Sequence, residues 1–197
     1  MPQLLETIKV IDGKCYNLDY HQARMNRSIQ EFYQQTAPSL EEDLSDQDIP
    51  KAGFYKCRVI YEKNIEEVQF VPYTIATLTS LQVVHVKELD YHVKYLDRGA
   101  LNKLREQKGD CDDIFIVCNG KLTDTSYANI ILWNGEEWHT PDTPLLKGTK
   151  REQLLQEGVI KEISISIDDL NKYQKVSLIN AMMNPGDIEI PIDRIKK

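Results

Sequence analysis

The chain has 197 residues, and 24 basic against 31 acidic side chains leave a formal charge of −7. Hydrophobic residues make up 41% and charged residues 28%, a globular balance that excludes disorder and collagen-like repeats. Net acidity argues against a nucleic-acid binder, which needs a basic face to displace counterions, while leaving room for a local basic pocket that holds a small anion.

The pattern opens with a strand over 4–11, closed by Asp12-Gly13, a strong two-residue hairpin signal, with Lys14–Leu18 as the returning strand. Asp19 offers an N-cap for a helix over 20–33. Residues 34–50 are polar, acidic and proline-marked, which predicts a loop or linker with a short helix. Strands over 54–61 and 65–73 form a second hairpin around Lys63-Asn64, and 81–86 is a further short strand. A helix over 97–108 stops at Gly109. Strands follow at 114–118 and 122–125 around Asn119-Gly120, and at 129–133 and 138–140 around Asn134-Gly135, both pairs reading as type I′ turns. A short helix over 149–156 ends at Gly158, an alternating stretch covers 159–167, and an apolar strand covers 176–182 before the turn at Asn184-Pro185-Gly186. Many hairpins with few helices predict an α+β fold. A boundary in the 73–90 stretch predicts two lobes, 1–80 and 81–197.

No apolar run approaches the roughly 20 residues that a bilayer span needs. Glu6 and Lys9 interrupt the first apolar stretch, so no secretory signal is expected. Cys15, Cys57, Cys111 and Cys118 fit neither a zinc site nor a disulfide framework, and scattered histidines argue against a metal site. Reduced thiols and a cytoplasmic location are the simplest reading.

Three stretches carry chemistry in their order rather than singly. The first is Leu18-Asp19-Tyr20-His21-Gln22-Ala23-Arg24. The second runs from His92-Val93-Lys94-Tyr95-Leu96-Asp97-Arg98 to Asn119-Gly120-Lys121-Leu122-Thr123-Asp124 and Ala128-Asn129-Ile130. The third is Thr140-Pro141 with Leu146-Lys147-Gly148-Thr149-Lys150-Arg151. Taken alone, Lys94 and Arg24 read as solvated cations, Asp124 as a turn cap and Gly148-Thr149 as an ordinary helix start. In this order they resemble the class IV pyridoxal-phosphate aminotransferases, a family that includes branched-chain and D-amino-acid aminotransferases and aminodeoxychorismate lyase. The resemblance runs from Leu5 to Ile192 and implies a two-lobed D-amino-acid aminotransferase-like fold (fold type IV).

The same resemblance implies pyridoxal 5′-phosphate as cofactor and assigns its residues. Lys94 takes the Schiff-base position, where the amine must be neutral to attack. Asp124 takes the place of a glutamate that keeps the pyridine nitrogen protonated. Arg24 matches the phosphate arginine, and Gly148, Thr149 and Lys150 open a helix whose N–H groups suit a phosphate. The family's usual aliphatic residue and threonine are here Thr149 and Lys150. Asn180-Ala181-Met182-Met183 resembles the lyase branch, with Asn180 and Ala181 beside the cofactor and the Ala181 and Met182 amides placed for a substrate oxyanion. His92–Arg98 resembles the lyase pattern as well. Relatives carry a further hairpin before the strand that here reads Leu5-Glu6-Thr7-Ile8, so the first lobe reads as truncated.

The implied activity is conversion of 4-amino-4-deoxychorismate to 4-aminobenzoate and pyruvate, in folate biosynthesis. An aminotransferase acting on a branched-chain or D-amino acid is the alternative, and a non-catalytic family member the second. The implied partners are a small-molecule amine and a second copy of the chain, as a homodimer.

Overall fold

The computed structural model describes residues 1–197, which divide into two compact units. Unit 1 comprises 1–75 with Val93–Asp97, and unit 2 comprises 76–92 with 98–197.

Unit 1 is a four-stranded antiparallel sheet with two helices. Strands β1 (Leu4–Ile11), β2 (Lys14–Cys15), β3 (Phe54–Tyr61) and β4 (Ile65–Pro72) lie in the order β2-β1-β3-β4. Asp12 and Gly13 both have positive φ, 46° and 80°, as a type I′ turn requires. The returning strand is two residues rather than the expected five, because Asn17 turns left-handed (φ 57°) and starts helix α1 (Leu18–Tyr33). Asn17, not Asp19, therefore holds the N-cap position. Helix α2 (Leu40–Ser45) is the short helix expected in the acidic stretch, with the Ser39 hydroxyl accepting from the Glu42 N–H. Helix α1 turns His21, Arg24, Met25, Ser28 and Ile29 inward at helical spacing. The apolar members join Leu4, Ile8, Val10, Leu40, Cys57, Val59 and Val93 in one core.

The expected boundary at 80/81 is corrected on two points. It falls at 75/76, and the Lys94 segment belongs to unit 1 rather than to the C-terminal lobe. The cause is backbone pairing with the start of β1: Leu5 N–H donates to Lys94 O at 3.0 Å and Leu96 N–H to Gln3 O at 2.9 Å.

Unit 2 is a nine-stranded mixed sheet with two helices. Its strands are β5 (Leu81–Val86), β6 (Asp113–Cys118), β7 (Lys121–Thr125), β8 (Asn129–Trp133), β9 (Trp138–Pro141), β10 (Ile160–Ile163), β11 (Lys175–Ile179), β12 (Glu189–Pro191) and β13 (Ile195–Lys196). The order β10-β9-β8-β7-β6-β5-β13 branches at β8, which also pairs along its length with β11. Asn119 and Gly120 have φ of 50° and 80°, as expected for their turn. Asn134-Gly135 is not a type I′ turn: only Gly135 has positive φ, and the Asn134 side chain accepts the N–H groups of Glu136 and Glu137. Helix α3 (Gly99–Arg105) runs into a 3-10 turn and stops at Gly109. Helix α4 (Thr149–Gln156) spans its predicted range.

Two predicted strands are shorter than read. The stretch over 159–167 keeps only β10, because Ser166 leaves the ladder to form a capping box with Asp169. The apolar strand ends at Ile179, where Asn180 begins a turn. Strands β12 and β13 are two or three residues long and carry too little alternation to be read from sequence. No helix is long and apolar enough to cross a membrane.

Candidate active site

In unit 1 the expected site residues are Lys94 and Arg24. Lys94 is half-buried, with its backbone fixed against β1. Arg24, 6% exposed, is held by a residue the sequence reading passed over: Glu6, at 0% exposure. Arg24 Nε donates to Glu6 Oε1 at 2.9 Å and Nη2 donates to Oε2 at 2.5 Å, a side-on fork. His21 Nδ1 lies 2.6 Å from the same Oε2. Because a carboxylate only accepts, that nitrogen carries the proton. Burial alone would raise the Glu6 pKa, but the Arg24 guanidinium and the His21 ring overrule it and hold it down at about 2. Burial lowers the His21 pKa, against the pull of Glu6, and the charges of Arg24 and Lys94 lower it further. Unit 1 thus places Lys94, Arg24, His21 and Glu6 in one electrostatic neighbourhood.

A signal for Glu6 does exist in the sequence. Leu4, Glu6, Ile8 and Val10 share one face of a period-2 strand, and the other three are core residues. A lone carboxylate on an inward face demands a buried cation, and Arg24 lies on the inward face of the next helix.

In unit 2 the strands β7, β8 and β11 meet in one row: Asp124 pairs with Asn129, and Asn129 with Ile179. Asp124 is buried at 5% exposure and its partners are neutral donors. Asn129 Nδ2 donates to Oδ1 at 2.8 Å and the Leu146 N–H to Oδ2 at 3.1 Å. Burial pushes the Asp124 carboxyl up to about 6, outweighing its hydrogen bonds from Asn129 and the Leu146 and Leu145 backbone and the Arg151 charge.

Asn129 also donates to Leu146 O at 2.8 Å, which brings its side chain over Gly148, the N-cap of α4. A Cβ at Gly148 would overlap Asn129 Oδ1, so glycine is required by space rather than by φ, which is an ordinary −71°. Thr149 and Lys150 follow, both buried, with Lys150 Nζ donating to Gln153 Oε1 at 2.8 Å. A buried lysine in the first turn opposes the positive end of the helix dipole, which an anion there would relieve. Arg151 is the next residue of α4. It is 3% exposed and ties α4 to Thr140, Pro141 O and Glu162.

The Asn180 turn holds the remaining expected site residues. Asn180 and Met183 exchange backbone bonds, and Asn180 Oδ1 accepts the Met182 N–H at 2.8 Å. The Met182 amide is thus engaged within the turn, and its side chain is core. Ala181, half-buried, remains as the anion-facing candidate of this turn.

A stability prediction follows from Asp124. Its folded pKa lies above the ordinary value of 3.8. Its contribution is therefore fully present below about pH 3.8 and is lost as pH rises through about 6. Across that window the cofactor-free protein should lose about 3 kcal/mol relative to an Asp124→Asn variant. Urea unfolding of both proteins at pH 5 and pH 8 samples the upper part of that window, where about 1.4 kcal/mol of the loss falls, and parallel pH profiles would contradict it.

The chain is similar to several known proteins. A family model described as amino-transferase class IV matches residues 74–188. An uncharacterised protein of Haemophilus influenzae is 38% identical over 185 residues, covering 92% of this chain and 98% of its own. A crystal structure from Haemophilus somnus, provisionally named a 4-amino-4-deoxychorismate lyase, superposes with a TM-score of 0.86 at 34% identity, covering 92% of this chain and 97% of that one. The fold also matches a PLP-bound hypothetical aminotransferase of Mycobacterium tuberculosis, with a TM-score of 0.78 at 15% identity, covering 98% of this chain and 81% of that one.

The residues present fit pyridoxal phosphate. Asp124 is a buried carboxylate whose hydrogen-bond partners are neutral donors, so a protonated pyridine nitrogen would give it a cation, and Lys150 is buried in the first turn of α4, where a phosphate would offset its charge. With most of its length matched by the family model and by a relative of the same extent, the chain belongs to the amino-transferase class IV family and is a pyridoxal-phosphate-dependent enzyme.

Proposed function

We propose that this enzyme is a lyase that converts 4-amino-4-deoxychorismate to 4-aminobenzoate and pyruvate. The observation that carries the reading is the 34% likeness to the provisionally named Haemophilus somnus lyase over 97% of that chain. The compact Asn180–Met183 turn, beside the row that holds Asp124, supports it.

When bound, pyridoxal phosphate supplies an aldehyde for the substrate amine and a ring that accepts electrons. Lys94 would hold the aldehyde end, and its Nζ is the base for the substrate's Cα proton. Asp124 keeps a positive charge on the ring nitrogen, and the Asn129 and Leu146 hydrogen bonds fix its carboxylate. Arg24 in unit 1, and the Gly148-Thr149-Lys150 start of α4 in unit 2, are the groups that would take up a phosphate. The Ala181 amide faces the substrate carboxylate and Asn180 shapes that turn. A homodimer is part of this proposal.

Incubating the cofactor-loaded enzyme with 4-amino-4-deoxychorismate tests the reading. Formation of 4-aminobenzoate and pyruvate in equal amounts is the expected result. A keto acid formed together with pyridoxamine phosphate from a branched-chain or D-amino acid, without 4-aminobenzoate from the lyase substrate, would make the enzyme an aminotransferase instead.

A further inference from the structure

We propose that Glu6 is a positioning residue for cofactor binding: it fixes the Arg24 guanidinium so that the edge turned away from Glu6 meets the phosphate. The inference rests on the reading that Arg24 binds that phosphate.

The geometry is specific. A guanidinium presents five N–H groups on a rigid plane, and Glu6 takes the side edge through Nε and Nη2. That choice fixes the orientation of the guanidinium plane relative to β1. His21 donates to the second oxygen of Glu6, so the carboxylate cannot rotate without losing a third hydrogen bond. Both backbones are regular, β1 in the middle of its pairings and α1 within its first two turns, so the fork is held from both sides.

A purely structural origin is the weaker explanation. Glu6 occupies an inward position between Leu4 and Ile8, where an apolar residue would pack without desolvating a charge. Buried ion pairs often contribute less stability than apolar residues of similar size, so one retained at such a position calls for another use. Orienting a phosphate ligand is such a use, because two fixed N–H groups match two phosphate oxygens only in one orientation.

The test compares pyridoxal phosphate with pyridoxal, which lacks the phosphate, by titrating the cofactor-free protein and following absorbance. For Glu6→Gln, affinity for pyridoxal phosphate should fall about 10-fold or more while pyridoxal affinity stays within about 2-fold, because only the phosphate reads the guanidinium's orientation. An equal loss for both ligands would make Glu6 merely structural, and an unchanged or increased pyridoxal-phosphate affinity would also overturn the inference. If Glu6→Gln does not fold, Glu6→Asp carries the same test, since it keeps the charge but shortens the reach by one methylene. Arg24→Gln separates the two claims. It should erase the preference for the phosphorylated ligand, and if it does not, the assignment of Arg24 to the phosphate fails whatever Glu6 does.

Discussion

Lys94→Ala should reduce turnover by at least about 10⁴-fold, since the amine acts both as the covalent anchor and as the base at the substrate's Cα. The fold should hardly respond. Val93–Asp97 is secured by its backbone, through Lys94 O and the Leu96 N–H, and these bonds survive loss of the side chain. Lys94 is also only half-buried, so little apolar contact is lost. The melting temperature of the cofactor-free variant should therefore stay close to that of the parent, while the absorbance of a lysine-linked cofactor disappears. A primary amine added to the medium should restore part of the proton-transfer rate. A variant that keeps a tenth of the parent's turnover would remove Lys94 from the chemistry.

Gly148→Ala should be the most damaging change outside the reacting groups. The new methyl would overlap Asn129 Oδ1 and bring Asn129 Cγ to 3.2 Å. Asn129 cannot swing away cheaply, because its Nδ2 is shared between Asp124 Oδ1 and Leu146 O, both at 2.8 Å. Either α4 moves outward or the Asp124 hydrogen bond breaks. Overpacking costs about 1–3 kcal/mol, and loss of a hydrogen bond to a charged group adds about 1.5–3 kcal/mol. Cofactor affinity should fall about 100-fold or more, because displacements near 1 Å have effects of that size in such sites. Removing the clash from the other side with Gly148→Ala and Asn129→Ser together should recover the stability of the fold but not the Asp124 contact. Wild-type affinity for the cofactor in the single variant would contradict the packing argument.

Much of the fold was legible because its signals are local. Asp12-Gly13 and Asn119-Gly120 carry positive φ at both positions, and Gly109 and Gly158 end their helices. Two failures lie where a side chain competes with the ladder: Asn134 turns its own hairpin, and Ser166 ends β10 through its capping box. Asn17 takes the cap that Asp19 seemed to offer through its left-handed backbone, with no side-chain cap bond. The lobe boundary failed for a different reason. Val93–Asp97 pairs with residues about ninety positions earlier, a contact no local pattern encodes.

The candidate site divides in the same way. Lys94, Arg24, Asp124 and the Gly148 turn are singled out in the sequence by the order of motifs. Their supports are not, since Glu6, Asn129 and Arg151 act by contacts that depend on the tertiary structure. The hydrogen bond from the Met182 N–H to Asn180 Oδ1 depends on the Asn180 rotamer, which sequence does not encode.

The central claim is that a single amine, that of Lys94, carries the cofactor. Reducing the cofactor-loaded wild-type enzyme with borohydride, digesting it and locating the pyridoxyl group by mass spectrometry tests that claim most directly. The label is expected on Lys94 alone. A label on any other lysine, or a loaded enzyme that borohydride does not label, would contradict it.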